Sequence, residues 1–72
     1  MKVVDYEILV QDLTPPLGGV LKFSAVIQFV VFETPDGNTS INPNLGETHG
    51  RTAKEARGKM QTKFDNWVQE NS

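Results

Sequence analysis

Polar and apolar residues alternate along the first dozen positions of the chain. The apolar residues of one side are Val4, Tyr6, Ile8 and Val10. The other side is polar except at Leu9, and this period of two in strand-favouring residues predicts a strand with one face toward solvent. The next segment, DLTPPLGG at residues 12–19, holds two prolines and two glycines and therefore predicts a loop that reverses the chain.

The segment VLKFSAVIQFVVF, residues 20–32, predicts a second strand with two unlike faces. One face is wholly apolar and consists of Leu21, Phe23, Ala25, Ile27, Phe29 and Val31. The other face is mixed at its start, with Lys22 and Ser24, and mostly apolar at its end. Because only a central strand usually buries so much on both sides, we expect residues 19–33 between the first and third strands.

A turn and a short third strand come next. The sequence TPDGN at residues 34–38 has proline, aspartate and glycine in the order of a tight turn with a left-handed glycine. A strand at residues 39–42 must then return alongside the second strand, and Pro43 ends it. The glycine-containing stretch PNLGETHGR, residues 43–51, is interpreted as a mobile loop.

The last third of the chain predicts a helix. Thr52 and Glu55 form a capping box, in which the threonine hydroxyl accepts from the amide of Glu55 and the carboxylate returns to the amide of Thr52. Apolar residues then recur at spacings of three and four, at Ala53, Ala56, Met60, Phe64 and Trp67. This stripe predicts that the helix lies across the apolar face of the sheet. Gly58 in the helix interior costs about 1 kcal/mol relative to alanine.

Together these elements predict one α+β domain spanning residues 1–72, in the order β-β-β-α. The expected architecture is a three-stranded antiparallel sheet with one C-terminal helix packed on one face. The predicted core residues are Tyr6, Ile8, Leu21, Phe23, Ile27, Phe29, Ala56, Met60, Phe64 and Trp67.

A single helix leaves the second face of such a sheet uncovered. The apolar residues predicted there are Leu9, Val26, Val30 and Phe32. A contiguous patch of this kind marks an interaction site, and two-fold pairing is the commonest oligomer, so we expect a homodimer through this face. The alternative is a monomer whose sheet curls strongly on itself.

Composition narrows the function classes. The chain has no cysteine, which excludes disulfides, thiolate chemistry and cysteine-based zinc sites. Its net charge of -2 argues against indiscriminate nucleic-acid binding but leaves room for a local basic patch. Asp5 and Glu7 interrupt the N-terminal apolar run too early for a signal peptide, and residues 20–32 are too short to cross a bilayer. The expectation is a cytoplasmic protein.

Catalytic patterns are sparse. His49 is the only histidine, and the spacing pairs neither Ser24 nor Ser40 with it as a nucleophile. Glu47 and His49 could together touch a metal, but two ligands in a glycine-containing loop make a weak site, and a solvated histidine is the simpler interpretation. We therefore expect a protein that is not an enzyme and has no cofactor or metal.

Basic residues cluster at the predicted helix start. Five of the seven in the chain fall within thirteen positions, at Arg51, Lys54, Arg57, Lys59 and Lys63. Free amides and the positive end of the helix dipole already favour anions there, so Arg51, Lys54, Arg57 and Lys59 are candidate nucleic-acid contacts. The alternative is a solvated helix face with local pairs such as Glu55 and Lys59.

The segment GRTAKEAR, residues 50–57, resembles the start of the last helix in double-stranded-RNA-binding domains. That family has a glycine, a small hydroxyl residue, lysines, an alanine and a further basic residue at these spacings. The resemblance implies phosphate contacts from Lys54 and Arg57, with Arg51 beside them, and a capping role for Thr52.

The same segment also resembles the helix entry of HicB-like antitoxins, whose N-terminal domain has the order β-β-β-α. Their G-x-T-x-x-E-A pattern is matched by Gly50, Thr52, Glu55 and Ala56. That family neutralises a small ribonuclease toxin of the double-stranded-RNA-binding fold and commonly oligomerises. The resemblance therefore implies a protein partner, as against the nucleic acid implied by the first.

Overall fold

The computed structural model describes residues 2–72. Four strands and one helix follow in the order β1 (Lys2–Leu17), β2 (Leu21–Thr34), β3 (Gly37–Ile41), β4 (Glu47–Gly50) and α1 (Ala53–Glu70). All pairings are antiparallel, and the C-terminal helix packs on the sheet. The predicted α+β class is confirmed, and a short fourth strand is added to the predicted three.

The second strand is central, as predicted. β1 lies along one edge of β2, while β3 and β4 lie end to end along the other edge. β3 pairs with the C-terminal half of β2, from Val30 to Thr34. β4 pairs with the N-terminal half, from Phe23 to Val26. Between them the chain at residues 42–46 leaves β2, so the sheet has a gap beside residues 27–29.

Three predicted boundaries were wrong. The loop predicted at residues 12–19 is mostly strand, because β1 continues to Leu17 and the turn comprises only residues 18–20. The β1–β2 register breaks between Asp12 and Leu17, and this irregular edge accommodates prolines that a central strand would exclude. The third strand begins at Gly37 rather than residue 39. The loop predicted at residues 43–51 contains β4.

A β-bulge in β2 decides which side chains reach the core. Glu7 pairs with Phe29 and Ile8 pairs with Ile27, so Gln28 is an extra residue on β2. One extra residue reverses the alternation of side chains from that point to the end of the strand. Phe29 therefore faces away from the helix, contrary to the prediction.

The bulge also corrects the predicted patch on the uncovered face. Val30 is fully buried in the core cluster and pairs with Tyr6, whose ring stacks on Phe64 of the helix at 4.4 Å. Phe32 pairs with Val3, which packs against the same core, so it too shares the helix side of the sheet. The prediction that Val30 and Phe32 belong to an uncovered dimer patch was therefore wrong.

The core lies between the helix and the sheet. Its buried apolar residues are Ile8, Ala25, Ile27, Val30, Ala56, Met60 and Phe64. Of the predicted core, Phe23 and Trp67 are half-buried against this cluster, and Leu21 is half-buried near the hairpin turn. Met60 and Val30 are its largest fully buried side chains.

The molecule is elongated. Its extents are 47 × 18 × 17 Å, and its radius of gyration is 13.7 Å, against about 11 Å for a compact chain of this length. A helix of 18 residues spans about 27 Å, so it cannot cover the whole sheet. The β1–β2 hairpin end is less covered, and Leu17 and Val20 are exposed there.

Candidate functional site

The junction from β4 into the helix is formed by residues 50–57, which we call the basic segment because the clustered cations begin there. Gly50 is buried beside the first helical turn, where a Cβ atom would lie 2.5 Å from the backbone nitrogen of Ala56. Thr52 caps the helix, since its hydroxyl accepts from the amide of Glu55 at 3.1 Å. The carboxylate of Glu55 lies 3.4 Å from Lys59. The predicted cap by Thr52 is confirmed, whereas the Glu55 carboxylate pairs with Lys59 instead of returning to the amide of Thr52.

Two of the five clustered lysines and arginines hold the chain before the helix against it. Lys59 donates to the carbonyl of His49 at 2.7 Å, and Lys63 donates to the carbonyl of Leu45 at 2.6 Å. Thr48 adds a hydrogen bond from its hydroxyl to the carbonyl of Ala56 at 2.8 Å. These contacts fasten β4 and the preceding loop to α1, so Lys59 and Lys63 have structural roles.

The other three cations of the cluster, Arg51, Lys54 and Arg57, are exposed at the start of the helix. Within residues 2–72 none of the three forms a salt bridge. They sit where the helix dipole is positive, so they increase the positive potential at this end. Of the four predicted nucleic-acid contacts, Arg51, Lys54 and Arg57 are therefore exposed and free of ion pairs to the described residues, whereas Lys59 already donates to the carbonyl of His49.

The face of the sheet opposite the helix carries an apolar patch of different composition from the predicted one. We call it the outer sheet surface, and its centre consists of Leu9, Val26, Phe29 and Val31, all half-buried. The pairing register places them together, because Leu9 lies opposite Val26, and Phe29 and Val31 follow the bulge on the same side. Leu9 and Val26 were predicted here, and Phe29 and Val31 were missed.

Carboxylates surround this apolar centre. By register, Asp5 lies beside Val31, Glu7 beside Phe29 and Glu47 beside Val26. Glu33 belongs to the same face and pairs with Lys2 at 3.7 Å. The outer sheet surface is therefore apolar in the middle and acidic at its margin, in contrast to the basic start of the helix.

Glu47 and His49, which the sequence offered only as a weak alternative metal pair, lie in contact. Both project from β4 onto the outer sheet surface, with 3.1 Å between the imidazole Nε2 and the carboxylate. No third histidine, aspartate or glutamate completes a metal-binding group within the described part of the chain. The pair is an ion pair when the imidazole is protonated and a hydrogen bond otherwise.

The gap between β3 and β4 forms an open cleft of about 510 Å³. Its walls include Val26 and Gln28 of β2, Asn42 and Asn44 of the connecting loop, and Glu47 of β4. These side chains offer amide and carboxylate oxygens but no cationic group. The cleft adjoins the outer sheet surface at Val26 and Glu47 and extends it toward the loop.

The comparisons with known proteins add no identification. No match was found among protein families, curated proteins or solved structures. The single helix found in residues 2–72 is not long and apolar enough to cross a membrane. The functional interpretation therefore depends on the two surfaces described above.

Proposed function

We propose that this chain is a small non-catalytic interaction module, HicB-like in its helix entry, that binds a protein partner through the outer sheet surface and acts as a homodimer. The observation that carries the proposal is the apolar centre of that surface, formed by Leu9, Val26, Phe29 and Val31 on a face that the helix does not cover. Contiguous apolar patches on small domains mark interaction sites.

The composition of the surface fits a protein better than a nucleic acid. Asp5, Glu7 and Glu47 would repel phosphates, whereas an apolar centre with a charged margin is the usual anatomy of a protein interface. The basic segment, by contrast, is largely accounted for by the strand-to-helix junction. Its glycine, threonine and alanine each have a packing or capping role there.

Nucleic-acid binding through the helix start is the second candidate. It is favoured by Arg51, Lys54 and Arg57, which are exposed beside free amides at the positive end of the helix. Three to four phosphate contacts would give weak binding that falls steeply with salt. This candidate predicts a mobility shift with duplex RNA, duplex DNA or single strands at about 50 mM salt and its loss at about 200 mM.

Capture from an extract of the source organism separates the two candidates. The immobilised chain is challenged before and after nuclease treatment, and the bound material is washed at low and high salt. The proposal predicts a stoichiometric protein that survives both treatments, because an apolar interface is little affected by screening. Material that leaves with nuclease or at about 200 mM salt would instead support the nucleic-acid candidate.

A further inference from the structure

The long first strand has a free edge. Within residues 2–72, β1 pairs only with β2, so the backbone groups on its other side meet no strand. The segment from Asp5 to Gln11, DYEILVQ, contains neither proline nor lysine, and its only charged residues are Asp5 and Glu7. Such an edge is a template for pairing with another strand.

We propose that a second copy of this chain pairs with this edge, β1 against β1 in antiparallel orientation, with Ile8 on the two-fold axis. The inference rests on the homodimer part of the proposed function and specifies how the two copies meet. The contact joins two sheets edge to edge and leaves the outer sheet surface of both copies free for a partner.

The charges along β1 select this register. An axis at Glu7 would set that carboxylate against its own copy, and an axis at Leu9 would set Tyr6 against Asp12. With the axis at Ile8, Tyr6 lies opposite Val10 of the second copy, which is a favourable aromatic pair with a β-branched residue. Asp5 lies opposite Gln11 and Glu7 opposite Leu9, so no like charges face each other.

One backbone amide at the free edge already has a hydrogen-bond partner within the chain. This contact indicates which residues of β1 direct their backbone groups away from β2. The amide of Tyr6 donates to the carboxylate of Asp5 at 2.8 Å, which places it on the free edge rather than in the ladder to β2. Residues 6, 8 and 10 then direct their backbone groups toward the second copy, and in the dimer the amide of Tyr6 exchanges the carboxylate of Asp5 for the carbonyl of Val10 of that copy. Asp5 and Gln11 form a non-hydrogen-bonded pair, the arrangement in which opposing side chains lie closest.

Sedimentation and a charge pair at one exposed position test the contact. The parent chain should sediment at tens of micromolar with about twice the 8.0 kDa chain mass. Gln11→Glu faces Asp5 across both symmetric pairs and should weaken the dimer roughly fivefold. The matched variant Gln11→Lys should tighten it by a similar factor. A monomeric parent would overturn both the homodimer and the edge contact, and a dimer that ignores both changes would overturn the edge contact alone.

Disulfide trapping tests the register in a chain that has no cysteine of its own. A mixture of Asp5→Cys and Gln11→Cys chains should form bridged heterodimers under mild oxidation, whereas each variant alone should stay largely unbridged. Each pair of identical positions is then separated by six residues along the strand, roughly 20 Å, which is too far for a disulfide. Preferential bridging of Glu7→Cys with Gln11→Cys, the pair opposed by an axis at Leu9, would overturn the proposed register.

Discussion

At the scale of single residues, two glycines of the same segment have opposite effects on stability. Gly50 has no room for a side chain, whereas nothing lies within 4 Å of a Cβ atom at Gly58. Gly50→Ala should lower the free energy of unfolding by roughly 1–3 kcal/mol, the usual cost of overpacking. Gly58→Ala should raise it by about 1 kcal/mol, because alanine is the better helix former.

Urea denaturation of both variants measures this contrast directly, since the midpoint shifts with stability while the slope reports the surface exposed. Equal and small effects at the two positions would contradict the close packing of β4 against the helix. The same packing gives Gly50, Thr52 and Ala56 structural roles at the junction between β4 and the helix.

The exposed cations give a second prediction at this scale. Replacing Arg51, Lys54 and Arg57 together by glutamine should leave the melting temperature unchanged or slightly raised, because three cations leave the positive end of the helix dipole. Lys59→Gln is the matched comparison and should cost about 1 kcal/mol, since its bond to the carbonyl of His49 is lost. Thermal unfolding of both variants distinguishes free cations from the engaged one, and a large loss in the triple variant would contradict this assignment.

At the scale of elements, the bulge at Gln28 determines what the sheet exposes. Deleting Gln28 should return Phe29 to the helix side and move Val30 out of the core, so the chain must either shift register or lose most of its stability. Gln28→Thr keeps the chain length and should stay within about 1 kcal/mol of the parent. Chemical denaturation of the two variants checks this, and a deletion variant as stable as the parent would show that the bulge does not set the register.

The elements that sequence predicted well are those with local signals. The alternation of residues 5–10, the cap at Thr52 and the helix stripe from Ala56 to Trp67 each act within a few residues and were confirmed. Val4, which lies at a shift of the pairing register, and Ala53 were predicted in these patterns but are exposed. The errors came from long-range pairing. β4 exists because β2 offers it an edge, and the strand passes Pro15 because the register there is irregular.

The candidate surface could be predicted only in part for the same reason. Val26 lies before the bulge in β2, so Val26 and its partner Leu9 keep the predicted alternation. Phe29 and Val31 lie after the bulge, so their side chains change to the other face. Within VIQFVVF the local sign of a change in the alternation is a single glutamine, which fits a partly exposed strand equally well. The sequence favoured a solvated loop histidine at residue 49, whereas His49 is half-buried on β4 and contacts Glu47.

At the scale of the whole molecule, charge is divided between two sides. Acidic residues border the outer sheet surface, and the exposed cations lie at the start of the helix. Edge pairing through β1 would extend the outer sheet surface across two chains, which increases the area available to one partner. Standard protein interfaces bury about 800 Å² on each side, so a molecule with extents of only 18 and 17 Å across its long axis gains from such an extension.

The most direct measurement of the central claim is a capture experiment with two matched variants of the chain. Phe29→Thr with Val31→Thr makes the outer sheet surface polar with residues that still favour strands. The triple glutamine variant at Arg51, Lys54 and Arg57 leaves that surface intact. Both baits are first shown to be folded by circular dichroism and are then compared with the parent for the protein retained from an extract of the source organism. If the outer sheet surface binds the partner, the partner is lost with the threonine variant and kept with the glutamine variant. The reverse pattern would contradict this role of the surface.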